Sequence, residues 1–238
     1  MYWFYWEDNG ITPEVINKIK YLIKKKLKNY IIVTPKTIRK YIKIVDVSNL
    51  RSIAQKVDYY RAKLLYKYGG IWLDMDTIIL EDIDYLYDQL LNSEKEVMIS
   101  ISELNKDKPN VCLAYLISKP GSTIFKIWYR LIENIILKTN NISYGFFGNY
   151  LATIINKYNL SNTILPFPND ITFRFGCKNY QKYYCTEKKF IEDSIDKIKK
   201  NNYKLIILYG SSGLYNHKID ENSMLFSMFQ YANNKNLK

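Results

Sequence analysis

Two aspartates stand two positions apart, Asp74 and Asp76, directly after the apolar run Ile71-Trp72-Leu73. Side chains alternate along a strand, so a strand ending there aims both the same way. Two carboxylates on one side at the end of a buried strand repel unless protons or a cation relieve them. A hard divalent ion such as Mg²⁺ or Mn²⁺ does this through oxygen ligands, and substrate phosphates fill its remaining positions. The local reading is a metal–diphosphate site. Upstream, a helix carries Asp58 and Arg61 and ends at Gly69-Gly70. Advancing 100° per residue from Leu50 puts Ile53, Ala54, Val57, Leu64, Leu65 and Tyr68 on one stripe. Arg61 falls near its middle and Asp58 on its margin. A charge on a core face is costly unless paired. Either the two form a structural i,i+3 ion pair, or both reach into the site of Asp74 and Asp76.

The elements that must position these residues follow from pattern. Tyr2–Trp6 is a dense aromatic strand. Thr12 caps a helix with Pro13 at its first position, running to about Leu27 with Val15, Ile16, Ile19, Leu22 and Ile23 inward. Residues 30–33 form a second strand, Thr34-Pro35 starts a short helix ending near Ile42, and 44–47 is a brief strand. Ser48 or Asn49 caps the helix bearing Asp58 and Arg61. Strand and helix alternate, which favours an α/β sheet that is largely parallel here. Ligands gather at the carboxyl ends of such strands. Trp6, at the end of the first strand, either packs the core or stacks on a nucleobase. Beyond Leu80 the pattern gives a helix over 82–91, strands over 97–101 and 111–117, a helix over 122–137, and over 143–158 a glycine-bearing loop running into a helix. A short extended piece spans 164–167, followed by an irregular aromatic stretch to 186. A helix over 187–200, a strand over 203–208, a Gly/Ser loop holding His217, and a final helix over 222–231 complete the chain. His217 is the only histidine; it is either an ordinary residue or a nitrogen ligand beside two carboxylates. No repeat or second domain boundary stands out, so residues 1–238 read as one domain, with halves over 1–80 and over 81–238, the latter including the C-terminal loop.

Composition bounds the class. At 238 residues and 47% apolar, the chain can build one large core. No apolar run of about eighteen residues is present, and the aromatic start lacks a signal-peptide pattern, so a cytoplasmic location is expected. Cys112, Cys177 and Cys185 make an odd set without a CxxC pair, which fits a reducing compartment. The net charge is +12. A basic surface attracts nucleic acid, anionic membrane or a sugar nucleotide, or is simply a solvated lysine face. Membrane contact, if any, is expected to be peripheral. The Lys, Asn, Ile and Tyr bias suggests an AT-rich genome.

The combination of an N-terminal Phe-Tyr-Trp strand, Asp58-x-x-Arg61, the string Leu-Tyr-Lys-Tyr-Gly-Gly-Ile-Trp-Leu-Asp-x-Asp and a late histidine loop resembles the DXD-containing glycosyltransferases. The resemblance is closest to the capsular-polysaccharide-synthesis group, with the outer-chain-initiating mannosyltransferases and, more distantly, the large glucosylating toxins. It is strong over residues 1–80, moderate over 110–160 and weak beyond. It implies a GT-A fold, a single α/β domain, and sugar transfer from a nucleoside diphosphate sugar (UDP-sugar favoured over GDP-sugar) to a hydroxyl of a glycan or protein, with retention. On this resemblance Asp58, Arg61 and Asp74 are catalytic. Asp58 and Arg61 hold the donor sugar, and Trp6 stacks on the base. Asp74 touches ribose or donor sugar and helps the metal, Asp76 binds Mn²⁺ or Mg²⁺ directly, and His217 completes the metal shell. The tryptophan expected near that histidine is missing. An inverting reaction needs a carboxylate base; Glu81, Asp82 and Asp170 are the candidates. Two other classes compete. An apolar strand followed by Asp-Met-Asp-Thr superficially matches a HAD-type phosphatase, but here it follows a strand-helix-strand-helix unit and no paired-acid motif comes after. A basic, tyrosine-rich nucleic-acid-binding protein would show a known binding motif, and none is present, so nucleic acid is not expected as a partner.

Overall fold

A computed structural model describes the chain except residues 8–9, 11, 103–109, 140–141, 144–145, 176, 209–217 and 236–238. In chain order its elements are β1 (Tyr2–Tyr5), α1 (Glu14–Lys26), β2 (Tyr30–Val33), α2 (Ile38–Tyr41), α3 (Ile53–Tyr68), β3 (Gly70–Leu73), β4 (Thr77–Ile79), α4 (Asp84–Leu91), β5 (Val97–Ser102), β6 (Asn110–Ser118), α5 (Thr123–Lys138), α6 (Phe146–Lys157), β7 (Ile164–Pro166), β8 (Thr172–Phe173), α7 (Lys188–Lys200), β9 (Leu205–Ile207) and α8 (Met224–Asn234). The chain forms two compact units that interleave in sequence. The first holds Met1–Glu7, Tyr30–Asp74 and Asp84–Phe167; the second holds Asp8–Asn29, Met75–Ile83 and Pro168–Lys238. The division expected at residue 80 falls inside the second unit's segment Met75–Ile83.

The first unit is built on a mixed six-stranded sheet in the order β2-β1-β3-β6-β5-β7. β2, β1 and β3 run parallel, β6 is antiparallel to both β3 and β5, and β7 is parallel to β5. β1 and β3 are apolar and buried along their whole length, as strands covered on both faces must be. Two glycines make the α3–β3 connection possible. Gly69 has φ +63°, and a Cβ there would lie 2.6 Å from the Ser118 carbonyl; at Gly70 (φ +95°) it would lie 2.5 Å from the Met1 carbonyl. Only a residue without Cβ lets β3 enter between its neighbours at this point. Helix α5 presents Ile124, Phe125, Trp128, Ile132 and Ile136, all buried. Each such side chain contributes about 1.5–3 kcal/mol by leaving water.

α3 packs against β1, β3 and β6 as well as α5 and α6. That crowding explains why Tyr59, Tyr60, Arg61, Ala62, Leu64 and Leu65 are all buried. The single-stripe reading fails at the ends, since Ile53 is 47% exposed and Tyr68 39%. The helix also starts later than expected. Ser52 is its N-cap, accepting from the Gln55 backbone N–H while Gln55 accepts from that of Ser52. This reciprocal capping box outcompetes Ser48 and Asn49. Residues 44–47 are not a strand.

The second unit holds a three-stranded sheet, β4-β9-β8, with β4 antiparallel and β8 parallel to β9. α1 lays its expected apolar face, Val15, Ile16, Ile19, Leu22 and Ile23, toward β4 and α8. Its N-cap is Pro13, with no side-chain cap, so Thr12 does not serve. Among the described residues no helix is long and apolar enough to cross a membrane.

Candidate functional site

Because β2, β1 and β3 are parallel, their carboxyl ends share one edge of the first unit's sheet. Trp6 leaves β1 there, half-buried, its N–H donating to the Val33 carbonyl at 2.9 Å. Glu7 follows it and is fixed by the Tyr5 hydroxyl at 2.8 Å and Lys56 Nζ at 3.3 Å. Asp74 leaves β3, its N–H donating to the Ala114 carbonyl at 2.8 Å. Neither Asp74 nor Asp76 lies in a strand. β3 stops at Leu73, and a turn intervenes before β4, so strand alternation does not set their directions.

Arg61 is the centre of the site, buried to 4%. Its Nη2 lies 3.2 Å from Asp58 Oδ1, and its Nη1 lies 3.1 Å from Asp74 Oδ1. Nη1 also donates to the Leu113 carbonyl on β6. The guanidinium carbon sits 5.2 Å from the ring centre of Trp72, close enough for a cation–π contact. Trp72 in turn donates Nε1–H to Asp74 Oδ1 at 2.8 Å. Arg61 Nε is buried with no partner among the described residues. Arg61 thus pairs with Asp58 at i,i+3, as one expectation has it, and of the other expectation the part seen is its reach to Asp74. A planar fork can do this where a point charge cannot.

Asp58 is almost fully enclosed. Burial pushes its carboxyl up to about 7; Arg61 pulls the other way, and Asp74 adds a smaller upward push. Desolvation wins over a cation at 3.2 Å, so at neutral pH Asp58 divides between a protonated donor and an ionised acceptor. Asp74 is the open side of the cluster. Its side chain is 29% exposed, both protein contacts fall on Oδ1, and Oδ2 has no protein partner among the described residues.

Asp58, Arg61 and Asp74 are thus brought together, with Trp6 in the same unit. Asp76 belongs to the second unit, where its carbonyl accepts from Leu208 N–H at 3.0 Å. His217 lies outside the described residues. Among the described residues no three His, Cys, Asp or Glu side chains cluster as a metal site. Trp72 and the Leu113 carbonyl were not anticipated. Trp72 reads as core in sequence; the available signal was that a buried indole N–H needs an acceptor. Leu113 acts through its backbone, which no side-chain pattern reveals. Glu81, one of the candidate bases, is held by Lys204 and by Lys235 at 2.7 Å. Burial raises its carboxyl, but the hydrogen bonds from the two lysines outweigh that and leave it below its ordinary value, the wrong direction for a base.

The model of the capsular polysaccharide synthesis protein family matches residues 1–219. The chain belongs to this family. Comparison with curated proteins gives no match. Among solved structures, this family member is similar to a glycosyltransferase involved in the glycosylation of the major capsid of PBCV-1. The TM-score is 0.50 at 10% identity, covering 90% of this chain and 97% of that one. The apo-form glycosyltransferase GlyE of Streptococcus pneumoniae TIGR4 also gives a TM-score of 0.50, at 14% identity over 96% of this chain and 62% of that one. These likenesses establish the GT-A fold. Within the first unit, Asp74 offers one committed oxygen and one without a protein partner among the described residues, a hard oxygen donor of the kind Mg²⁺ takes together with substrate phosphates.

Proposed function

We propose that this member of the capsular polysaccharide synthesis protein family is a metal-dependent glycosyltransferase that moves a sugar from a nucleoside diphosphate sugar, a UDP-sugar by preference, to a hydroxyl of a glycan or protein acceptor, with retention. The observation that carries the reading is the Asp58–Arg61–Asp74 cluster at the carboxyl end of β3, in a chain of this family and fold. A buried cation bridging two carboxylates is costly as architecture alone; it suits a site that must hold a charged ligand in fixed geometry.

Each residue then has a task. Asp74 and Asp76 would hold Mn²⁺ or Mg²⁺, which when bound supplies positive charge against the diphosphate leaving group. Arg61, almost wholly buried, adds fixed positive potential where little solvent screens it. Its Nη1 and Nη2 are both engaged by protein groups, so it orients Asp58 and Asp74. Asp58, with a carboxyl near 7, suits sugar hydroxyls, which both donate and accept. Trp6, leaving the end of β1, would stack on the base. His217 would complete the metal shell.

The test is a panel of UDP- and GDP-sugars with Mn²⁺, scored by release of the nucleoside diphosphate. Turnover of at least one donor is expected, abolished by EDTA and by Asp76→Asn. Full activity in the Asp76 variant would overturn the metal assignment. NMR of the product anomer decides retention.

A further inference from the structure

We propose that Trp72 is the positioning residue for Asp74, and that its indole N–H sets which carboxylate oxygen meets the divalent ion and the donor diphosphate. This rests on the reading of Asp74 as a metal ligand. Trp72 is wholly buried, and burial accounts for a large apolar ring but not for where its one polar atom goes. Nε1 donates to Asp74 Oδ1 at 2.8 Å, the oxygen that Arg61 Nη1 approaches at 3.1 Å. The indole hydrogen bond and the Arg61 ion pair on one oxygen restrain the carboxylate, which stands just past the end of β3, outside the strand. The other oxygen carries no protein hydrogen bond among the described residues and is the one free to face a ligand. The same indole lies against Arg61, so one side chain contacts both Oδ1 and the cation paired with it. A space-filling residue would need neither contact; phenylalanine or leucine would serve.

Hydrogen-bond partners of this kind behind a metal ligand are typically worth about 10–100-fold in metal affinity. The variant Trp72→Phe keeps a ring near Arg61 and removes the N–H. Mn²⁺ binding is read by electron paramagnetic resonance of the free ion, with UDP and then GDP present and no turnover. The Mn²⁺ dependence of turnover is read separately. The expected result is a rise of about tenfold in the Mn²⁺ midpoint by both readouts, with kcat largely restored at saturating Mn²⁺. A merely structural role would lower stability or kcat and leave the midpoint in place, and that outcome overturns the proposal. If Trp72→Phe fails to fold, benzothienylalanine at position 72 decides instead, since it keeps the bicyclic shape and replaces the N–H with sulfur. An unchanged midpoint in that protein also overturns it. If the unaltered protein binds no Mn²⁺ with either nucleotide, the metal reading of Asp74 has failed, and this proposal falls with it. If it binds Mn²⁺ and the variants match it, only the role of Trp72 has failed.

Discussion

The two compact units each contain a buried or half-buried charge cluster of three, and the clusters are opposites. In the first, one cation, Arg61, lies between two carboxylates, Asp58 and Asp74. In the second, one carboxylate, Glu81, lies between two cations, Lys204 and Lys235. The Glu81 cluster is closed: each carboxylate oxygen has its own lysine, and Lys235 also donates to the Tyr203 carbonyl at 3.3 Å. The Arg61 cluster is unfinished: among the described residues one oxygen of Asp74 and Nε of Arg61 have no partner, and the Asp58 carboxyl is raised to about 7. Saturated clusters hold structure together; unsaturated ones leave valence for a ligand. The difference marks the first unit as the place where chemistry is expected.

Arg61→Met should break the comparison most severely. It leaves two carboxylates facing each other without a counter-ion, a loss of about 3–5 kcal/mol in urea denaturation, together with turnover. Arg61→Lys should restore little of it, since one ammonium cannot bridge Asp58, Asp74 and the Leu113 carbonyl.

The pH dependence of stability should separate the clusters next. Unfolded Asp58 titrates near its ordinary value of 3.8 and the folded group at about 7. Between those values the folded state holds a proton that the unfolded chain has lost. The contribution of Asp58 is therefore complete below about pH 4 and is lost as pH rises to 7. Asp58→Asn should flatten this limb of the stability curve. Glu81, shifted downward, slopes the other way: its contribution is present at neutral pH and is lost as pH falls below the ordinary carboxylate range.

The smallest effect is expected from Glu81→Gln, about 1–2 kcal/mol of stability after allowing for its 27% exposure. Turnover per folded molecule should be unchanged. A kcat loss there as large as that of Arg61→Met would erase the distinction between the two clusters.

Much of this was legible in the sequence, for local reasons. β2 was expected over 30–33 and found there, because apolar runs between turn residues state strands directly. The inward face of α1 was recovered residue by residue from its 3.6-residue period. The Asp58–Arg61–Asp74 association was readable because a charge amid apolar helix positions demands partners. The start of α3 was misplaced because two candidate caps precede Ser52, and only the Gln55 three positions later distinguishes it. The two-residue spacing of Asp74 and Asp76 fits a strand end and a turn equally, so it does not reveal the turn that follows β3. β4 pairs with β9, some 130 residues further on, and such long-range pairing leaves no local mark. The Leu113 carbonyl was invisible for the same reason.

The position of β6 carries a consequence for how the protein is made. The motif segment through Asp74 is synthesised well before Leu113, yet Arg61 finds its carbonyl partner only on β6, and β3 has its second neighbour only there. A nascent chain that ends short of β6 carries Ile71-Trp72-Leu73 as an open, apolar sheet edge, the kind that recruits other chains. Domain-length synthesis at about 5–20 residues per second leaves that edge exposed for seconds. Truncations ending between residues 80 and 110 should therefore aggregate, as read by light scattering.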